Sequence, residues 1–186
     1  MARYKLEREY IFSNKDYGEI CDFLKDSDNL DLSIIKDDKG NTALHQCAFH
    51  NELKLMRKYL EIHEKTLSRS SVENPSISMA EFINSPNNDG LTAVHFAAYK
   101  GNYKILEEMQ RIGADINALT PQNQNVLHLA AQGDHAETFI FFEAMFDINS
   151  RDSKMSTPLH WASFMNSESI VTYLLAQPNI EVDPLD

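Results

Sequence analysis

Histidine is the residue of this 186-residue chain best suited to chemistry, and seven histidines are present. A metal site would need several histidines to converge on one ion. Four of the seven recur in matching sequence surroundings, and these are His45, His95, His128 and His160. If the recurrence marks stacked helical units, neighbouring copies lie about 10 Å apart and do not share an ion. His45 and His50 are five residues apart, rather than the four that place two ligands on one helix face. We therefore expect structural histidines and predict no metal and no cofactor.

Other reactive side chains form no catalytic pattern. The two cysteines, Cys21 and Cys47, have no spacing that suggests a disulfide framework, which fits a reducing compartment. Cys47 is expected to be a small core residue rather than a nucleophile. Paired carboxylates such as Glu107 and Glu108 are predicted on a solvated helix face, and we find no glycine-rich phosphate loop or nucleophile elbow. We predict that this chain is not an enzyme.

The four histidines recur because the chain repeats itself. Their separations are 50, 33 and 32 residues, so the first interval equals one period plus an insertion of 17. The matching words are Thr42-Ala43-Leu44-His45, Thr92-Ala93-Val94-His95, Asn125-Val126-Leu127-His128 and Thr157-Pro158-Leu159-His160. Self-similarity at such a period indicates a repeat architecture.

Positions outside the motif keep the same register. Six residues after each histidine stands a residue that tolerates the left-handed conformation closing a helix: Asn51, Gly101, Asp134 and Asn166. Five residues before it, three units have Gly40, Gly90 and Asn123, which suit a turn with positive φ. Met155 does not suit such a turn, so we expect a different turn in the last unit. The units also end alike, at Ile83-Asn84, Ile116-Asn117, Ile148-Asn149 and Val182-Asp183.

Each repeat is predicted to be a helix–turn–helix unit. In the first unit the short helix is expected over about Ala43 to His50. A longer helix with apolar periodicity follows, for example from Tyr103 to Arg111 in the second unit. A unit this small does not bury its own apolar face, so several must stack to form a core.

The run from Gly40 through Asn41-Thr42-Ala43-Leu44-His45 to Ala48, with its three echoes, resembles the ankyrin repeat, whose signature is a turn glycine followed by Thr-Pro-Leu-His-x-Ala. The resemblance covers residues 37–186 and implies an all-α ankyrin-repeat solenoid of stacked helix–turn–helix units with β-hairpin-like finger loops. It also implies that the motif histidine bonds within and between fingers. The predicted parts are a degenerate N-terminal capping repeat at 1–36, whose outer helix holds Ile20, Phe23 and Leu24, repeats at 37–86, 87–119, 120–151 and 152–183, and the start of a truncated repeat at 184–186.

The insertion falls near residues 64–82 of the first repeat. It is rich in serine and contains Pro75, so most of it is expected to be a surface loop, either merely tolerated or regulated by phosphorylation. Ser78-Met79-Ala80-Glu81 predicts a capping box that opens a short helical turn. Because a longer loop adds little closure entropy, a short glycine–serine link in its place is expected to leave the melting temperature almost unchanged.

The resemblance implies a concave binding face built from finger tips and from the exposed ends of the inner helices. Aromatic residues and methionine, which are enriched in interface hot spots, recur at those ends. We therefore predict a partner-binding surface of Phe49, Tyr99, Lys100, Gln132, Phe164, Met165, Trp161, Leu91 and Asp89. In the alternative interpretation Phe49 and Tyr99 pack on neighbouring fingers, and Trp161 fills the core where this family usually has leucine. The Trp161 indole N–H would still need a hydrogen-bond partner.

The predicted function is therefore the binding of another protein or a peptide segment. A net charge of −11 argues against nucleic acid, and no apolar stretch is long enough to insert into a membrane. We expect a cytoplasmic monomer. The stretch Ser156-Thr157-Pro158-Leu159-His160-Trp161-Ala162 also resembles the arrays of ankyrin-bearing DHHC palmitoyltransferases, so the alternative is a substrate-recruiting domain of such a membrane enzyme, or of a channel.

Overall fold

The computed structural model describes residues 11–13, 19–20, 22, 31–69 and 77–182. The chain divides into two compact units, Met1–Ala93 and Val94–Asp186. Ile20 lies in a helical segment of the first unit and is buried, as expected of a capping repeat. Phe23, Leu24, the middle of the insertion and the predicted repeat start at 184–186 lie outside the described residues.

Paired antiparallel helices make up both units. The first unit contains α1 (Ala43–His50), α2 (Leu53–Arg69) and α3 (Met79–Ile83). The second begins at Val94, within α4 (Ala93–Tyr99), and continues with α5 (Tyr103–Arg111), α6 (Val126–Gln132), α7 (Ala136–Phe142), a 3₁₀ turn (Glu143–Met145), α8 (Pro158–Met165) and α9 (Glu168–Leu175). In the described residues the sole β-bridge pairs Lys36 with Thr42. The fold of these residues is all-α, as predicted.

The short inner helices, α1, α4, α6 and α8, begin and end where local chemistry dictates. Thr42 precedes α1 with extended backbone and forms a capping box with His45, the third residue of the helix. Asn51 closes α1 at φ 61°, and Asn166 closes α8 at φ 59°. The predicted bounds of α1 and α5 and the predicted left-handed residues are confirmed.

The motif histidines are buried connectors in three repeats. In His128 the Nδ1 atom lies 2.7 Å from the Asn125 side chain, and Nε2 lies 3.1 Å from the Ser156 carbonyl oxygen of the following loop. His45 makes the same two links, to Thr42 at 2.9 Å and to the Leu91 carbonyl at 2.9 Å. The expectation of structural histidines that bond within and between fingers is therefore confirmed for His45 and His128. His160 is exposed, and its ring bonds to Thr157 at the start of its own helix.

Four finger loops precede the inner helices: 37–41, 87–91, 120–124 and 152–156. In the last loop a side-chain oxygen of Asp152 accepts the backbone N–H of Lys154 at 2.8 Å and of Ser156 at 2.9 Å. The first residue of every loop accepts the third and fifth N–H groups in this way, and these residues are Asp37, Asn87, Thr120 and Asp152. This Asx-type or Ser/Thr-type turn fixes the loop from inside.

The expectation of a different turn at Met155 is wrong. Met155 adopts φ 62°, in line with Gly40 at φ 77° and Asn123 at φ 60° in the corresponding loops. Its N–H donates to the Asp152 carbonyl at 3.0 Å, as the equivalent residues do in their own loops. The hydrogen bonds to Asp152 outweigh the local preference of methionine against the left-handed conformation.

The insertion is less loop-like than expected. Residues 64–69 continue α2, which runs for 17 residues to Arg69. The predicted capping box is confirmed, since Ser78 and Glu81 cap the start of α3. Phe82 of α3 is buried and stacks on the buried ring of His63, with centroids 4.2 Å apart. The insertion thus contributes to the core of the first unit, and the expectation that all of 64–82 can be replaced freely is wrong.

We expect acid to destabilise the chain through its buried histidines. Burial lowers the pKa of His95 and His128 below the ordinary 6.5, more than their carbonyl partners and nearby aspartates raise it. The unfolded chain therefore binds these protons first, and the stabilisation, complete above about pH 6.5, is lost as pH falls. The free energy of unfolding, measured in urea, should be lower at pH 5 than at pH 7, and His128→Gln should reduce this difference. A difference that is unchanged in both His95→Gln and His128→Gln would contradict its assignment to these histidines.

Met155→Gly should stabilise the chain. An L-residue in the left-handed region costs roughly 1–2 kcal/mol, so we expect the free energy of unfolding to rise by about 0.5–1 kcal/mol after the flexibility of glycine is counted. Met165→Gly, at the end of α8, is the matched control and should lower it by about 0.5–1 kcal/mol. A loss of stability in Met155→Gly equal to that of the control would show that the turn carries no strain.

Phe82→Ala should destabilise the first unit strongly. Because Phe82 is fully buried, its truncation is expected to cost about 3–5 kcal/mol in urea unfolding. The same substitution at the exposed Phe164 should cost less than about 1 kcal/mol. Equal, small effects of the two substitutions would mean that α3 does not stabilise the unit.

Candidate partner-binding surface

The inner helices end in exposed side chains. Phe49 ends α1 beside His50, Tyr99 ends α4, and Phe164 and Met165 end α8, all of them exposed. Phe164 is the most exposed of these side chains, at 79%, and the alternative that Phe49 and Tyr99 pack on neighbouring fingers stays open. Lys100 is exposed directly after Tyr99.

Gln132 departs from the predicted pattern at the end of α6. Its side chain is half-buried, and its Nε2 atom is buried without a hydrogen-bond partner. Gly133 follows it, so this helix end presents no aromatic or methionine side chain. Gln132 is therefore less exposed than Phe49, Tyr99 and Phe164 at the ends of the other inner helices.

The predicted finger-tip residues lie in the 87–91 loop of the first unit. Asp89 is exposed, and its N–H donates to the Asn87 side chain at 3.0 Å. Leu91 is half-buried, and its carbonyl oxygen accepts the bond from His45. Asp89 is therefore available to a partner, whereas the backbone of Leu91 is committed to the fold.

Trp161 and Phe164 form an aromatic corner in the second unit. Their ring centroids are 6.0 Å apart with the planes at 89°, an edge-to-face pair. Trp161 is half-buried rather than in the core, so the core-filling interpretation is wrong. The reason is that its indole N–H donates to a carboxylate oxygen of Asp152 at 2.8 Å, which holds the ring against the finger loop.

A depression of about 330 Å³ opens beside this pair. Its lining combines aromatic and polar side chains, namely Lys154, Ser156, His160, Trp161 and Phe164. The Nδ1 atom of His160 lies 2.8 Å from the Thr157 hydroxyl, which fixes the ring at the start of α8. The depression can take an apolar side chain against the rings, with Lys154 beside it for an acceptor.

Asp152 organises this corner and is the residue that the sequence analysis missed. Burial raises its pKa, but hydrogen bonds from the Trp161 indole, from the N–H groups of Ser156 and Lys154 and from Gln124 outweigh this, so its pKa lies below the ordinary value. The carboxylate is therefore ionised at neutral pH. A signal was present in the sequence, because Asp37, Asn87, Thr120 and Asp152 repeat with the same intervals as the histidines.

Cys47 is buried and unoxidised in the core of the first unit. Over residues 31–69 and 77–182, histidine, cysteine and acidic side chains do not gather into a group that could hold a metal ion. In the same residues no helix is both long and apolar enough to cross a membrane.

Comparison with known proteins relates the chain to one family. Residues 10–120 and 94–186 match the family model described as ankyrin repeats in three copies. The nuclear factor NF-kappa-B p105 subunit of Rattus norvegicus is 27% identical over 149 residues, which is 78% of this chain and 14% of the relative. Alpha-latrotoxin-Lg1a of Latrodectus geometricus is 32% identical over 127 residues, or 67% of this chain and 8% of the toxin. The tankyrase poly(ADP-ribose) polymerase of Caenorhabditis elegans is 24% identical over 174 residues, which is 83% of this chain and 8% of the relative.

These matches confirm the predicted family and its general role. The chain spans only 8% to 14% of the length of these relatives. Ankyrin repeats are protein–protein interaction modules and are not themselves catalytic. The predicted repeat boundaries and the narrower resemblance to DHHC palmitoyltransferases stay predictions. Since the family model matches nearly the whole chain, the chain belongs to the ankyrin-repeat family.

Proposed function

We propose that the chain binds a peptide segment of a partner protein at the ends of its inner helices, with the Trp161–Phe164 corner as the main anchor point. The observation that supports this most is the exposure of Phe164, at 79%, beside a tryptophan that Asp152 holds in place. Tyr99, Lys100 and Met165 extend the surface in the second unit. Phe49, Leu91 and Asp89 belong to the surface of the first unit.

The rings at the ends of the inner helices are exposed to water to different degrees: Phe164 by 79%, Tyr99 by 41% and Phe49 by 37%. An aromatic side chain at a solvent-exposed helix end contributes little to the core, yet three of the four inner helices end in one. A partner that covers the rings gains the free energy of removing apolar area from water, about 25 cal/mol per Å². Trp161 is ordered before binding, so less side-chain entropy is lost when a partner docks.

The chemistry of the depression indicates the kind of residue that binds there. An apolar anchor side chain can pack in the depression against the edge-to-face pair of Trp161 and Phe164, and Lys154 and Ser156 of the same lining can bind a carbonyl or carboxylate oxygen. The charge of −11 opposes binding to a phosphate backbone, so the proposed partner is protein and not nucleic acid. We propose that the chain acts as a monomer in the cytoplasm.

A second proposal concerns the larger protein. Because the chain matches relatives of which it spans 8% to 14%, it can serve as the substrate-recruiting part of a longer polypeptide. One of these relatives is by its name a polymerase. We propose that the longer polypeptide containing this chain is a palmitoyltransferase or a channel. The same peptide-binding surface serves either function, and the sequence of the complete polypeptide distinguishes them.

Selection from an unbiased peptide library on the immobilised chain tests the proposal. We expect enriched peptides with a shared apolar anchor, and Phe164→Ala should weaken their binding by about 2 kcal/mol, or roughly thirtyfold. The control is Leu175→Ala, which removes another exposed apolar side chain, 53% exposed, from the outer helix α9. Enrichment of peptides whose binding is unaffected by Phe164→Ala, or a failure to enrich any peptide, would contradict the proposed site.

A further inference from the structure

The outer helices of the second unit carry an apolar surface that the proposed peptide site does not use. On α7 and the following 3₁₀ turn, Ile140, Phe141 and Met145 are 46%, 41% and 50% exposed. None of them lines the depression at Trp161. We name Ile140, Phe141, Met145 and the neighbouring Tyr103 the outer patch.

The fold does not require apolar residues here. Counting from the motif histidines, the positions that match Ile140 hold Arg57, Glu107 and Thr172, and those that match Phe141 hold Lys58, Glu108 and Tyr173. The exposed positions of α2, at Lys54, Arg57, Glu61, Glu64, Lys65, Ser68 and Arg69, are all polar. An outer helix of this type is therefore stable with a polar outer surface, and only α7 of these helices replaces it with a cluster of large apolar side chains.

Contacts between neighbouring helices hold the outer patch in place. The Phe141 ring lies 6.0 Å from the Tyr103 ring of α5 and 4.9 Å from the buried Phe142 ring. The Gln110 amide of α5 donates to the Met145 sulfur at 3.7 Å. These contacts link the exposed residues Phe141 and Met145 to α5, and Ile140 is the chain neighbour of Phe141. Contiguous exposed apolar surface of this kind marks interaction sites.

The charges around the outer patch indicate the partner. Glu137 lies one helical turn before Phe141 on α7, and Glu107 lies one turn after Tyr103 on α5. Both are exposed and lack an ion-pair partner among the described residues, whereas the Arg111 guanidinium is paired with Glu108 at 2.7 Å. Lys104 is the basic residue beside the patch, with its Nζ atom 5.9 Å from the Tyr103 ring centroid. Residues 94–186 contain five Lys and Arg against twelve Asp and Glu, so the wider field is acidic.

We propose that the outer patch docks an amphipathic helix of a partner protein, with apolar residues against Ile140, Phe141 and Met145 and basic residues beside Glu107 and Glu137. A second copy of this chain fits less well, because each copy would bring the same acidic flank to the interface, and like charges there repel. The docking is independent of the peptide site proposed above.

A lysine–leucine amphipathic helical peptide is the probe for this surface, and a glutamate–leucine peptide of the same pattern is its control. Titration of the full chain should show binding of the lysine peptide and much weaker binding of the glutamate peptide. The double variant Ile140→Thr/Phe141→Ser should weaken the lysine peptide at least about tenfold, and Leu175→Thr, the matched loss of exposed leucine, less than twofold. Ile140→Glu should also weaken the binding of the lysine peptide, because an apolar contact is lost, although the added negative charge attracts the peptide.

Three results would overturn the proposal. The first is that the lysine peptide does not bind, and the second is that it binds the double variant as tightly as the unchanged chain. The third is a concentration-dependent dimer, seen by sedimentation, that Ile140→Thr/Phe141→Ser abolishes, since the occupant would then be a second copy. These outcomes do not depend on Phe164, so they separate failure of the outer patch from failure of the peptide site.

Discussion

The buried histidine at the start of an inner helix is the interaction on which the repeat depends. In His128 one ring nitrogen binds the residue that caps its own helix, and the other binds the backbone of the next finger loop. One side chain therefore fixes both the start of a helix and the position of the following loop. Because the ring is buried, both bonds are made away from water, and losing either partner leaves a buried polar group unsatisfied at a cost of about 1–3 kcal/mol.

The finger loop at 152–156 also fixes the position of a side chain in the candidate site. Each loop closes around a side chain that accepts two backbone N–H groups, and in the 152–156 loop that side chain is Asp152. Its second oxygen accepts the Trp161 indole, so one carboxylate shapes the loop and orients the ring beside Phe164. The aromatic corner is thus a consequence of the same turn that the other three repeats use only for folding.

The sequence predicted the parts of the fold that follow from local rules. The bounds of α1, the left-handed Asn51 and Asn166 and the capping box at Ser78 all follow from residue type and spacing. The positive φ of Met155 was not predicted, because the preference of methionine is overruled by hydrogen bonds to Asp152 three residues earlier. The burial of Phe82 was not predicted either, since its contact with His63 joins residues 19 apart across the insertion.

The candidate site was predicted where it depends on repeat spacing, and was missed where it depends on contacts between elements. Exposure at Tyr99 and Phe164 follows from where an inner helix ends, and repeat spacing locates that end. The orientation of Trp161 depends on a bond to another element, and the outer patch depends on two helices whose facing residues are about 35 positions apart. Period and propensity describe one element at a time, so contacts of this kind become visible only in three dimensions.

The most direct test of the account is an amide correlation spectrum of the chain during titration with a peptide selected on it. Trp161 is the single tryptophan, so its indole N–H gives one identifiable resonance. We expect this resonance to shift with the fraction of peptide bound, together with the amide resonance of Phe164, while the amide resonances of buried helix interiors such as Leu127 stay in place. A bound peptide that leaves the indole resonance unmoved would contradict the central claim that the Trp161–Phe164 corner is the binding site.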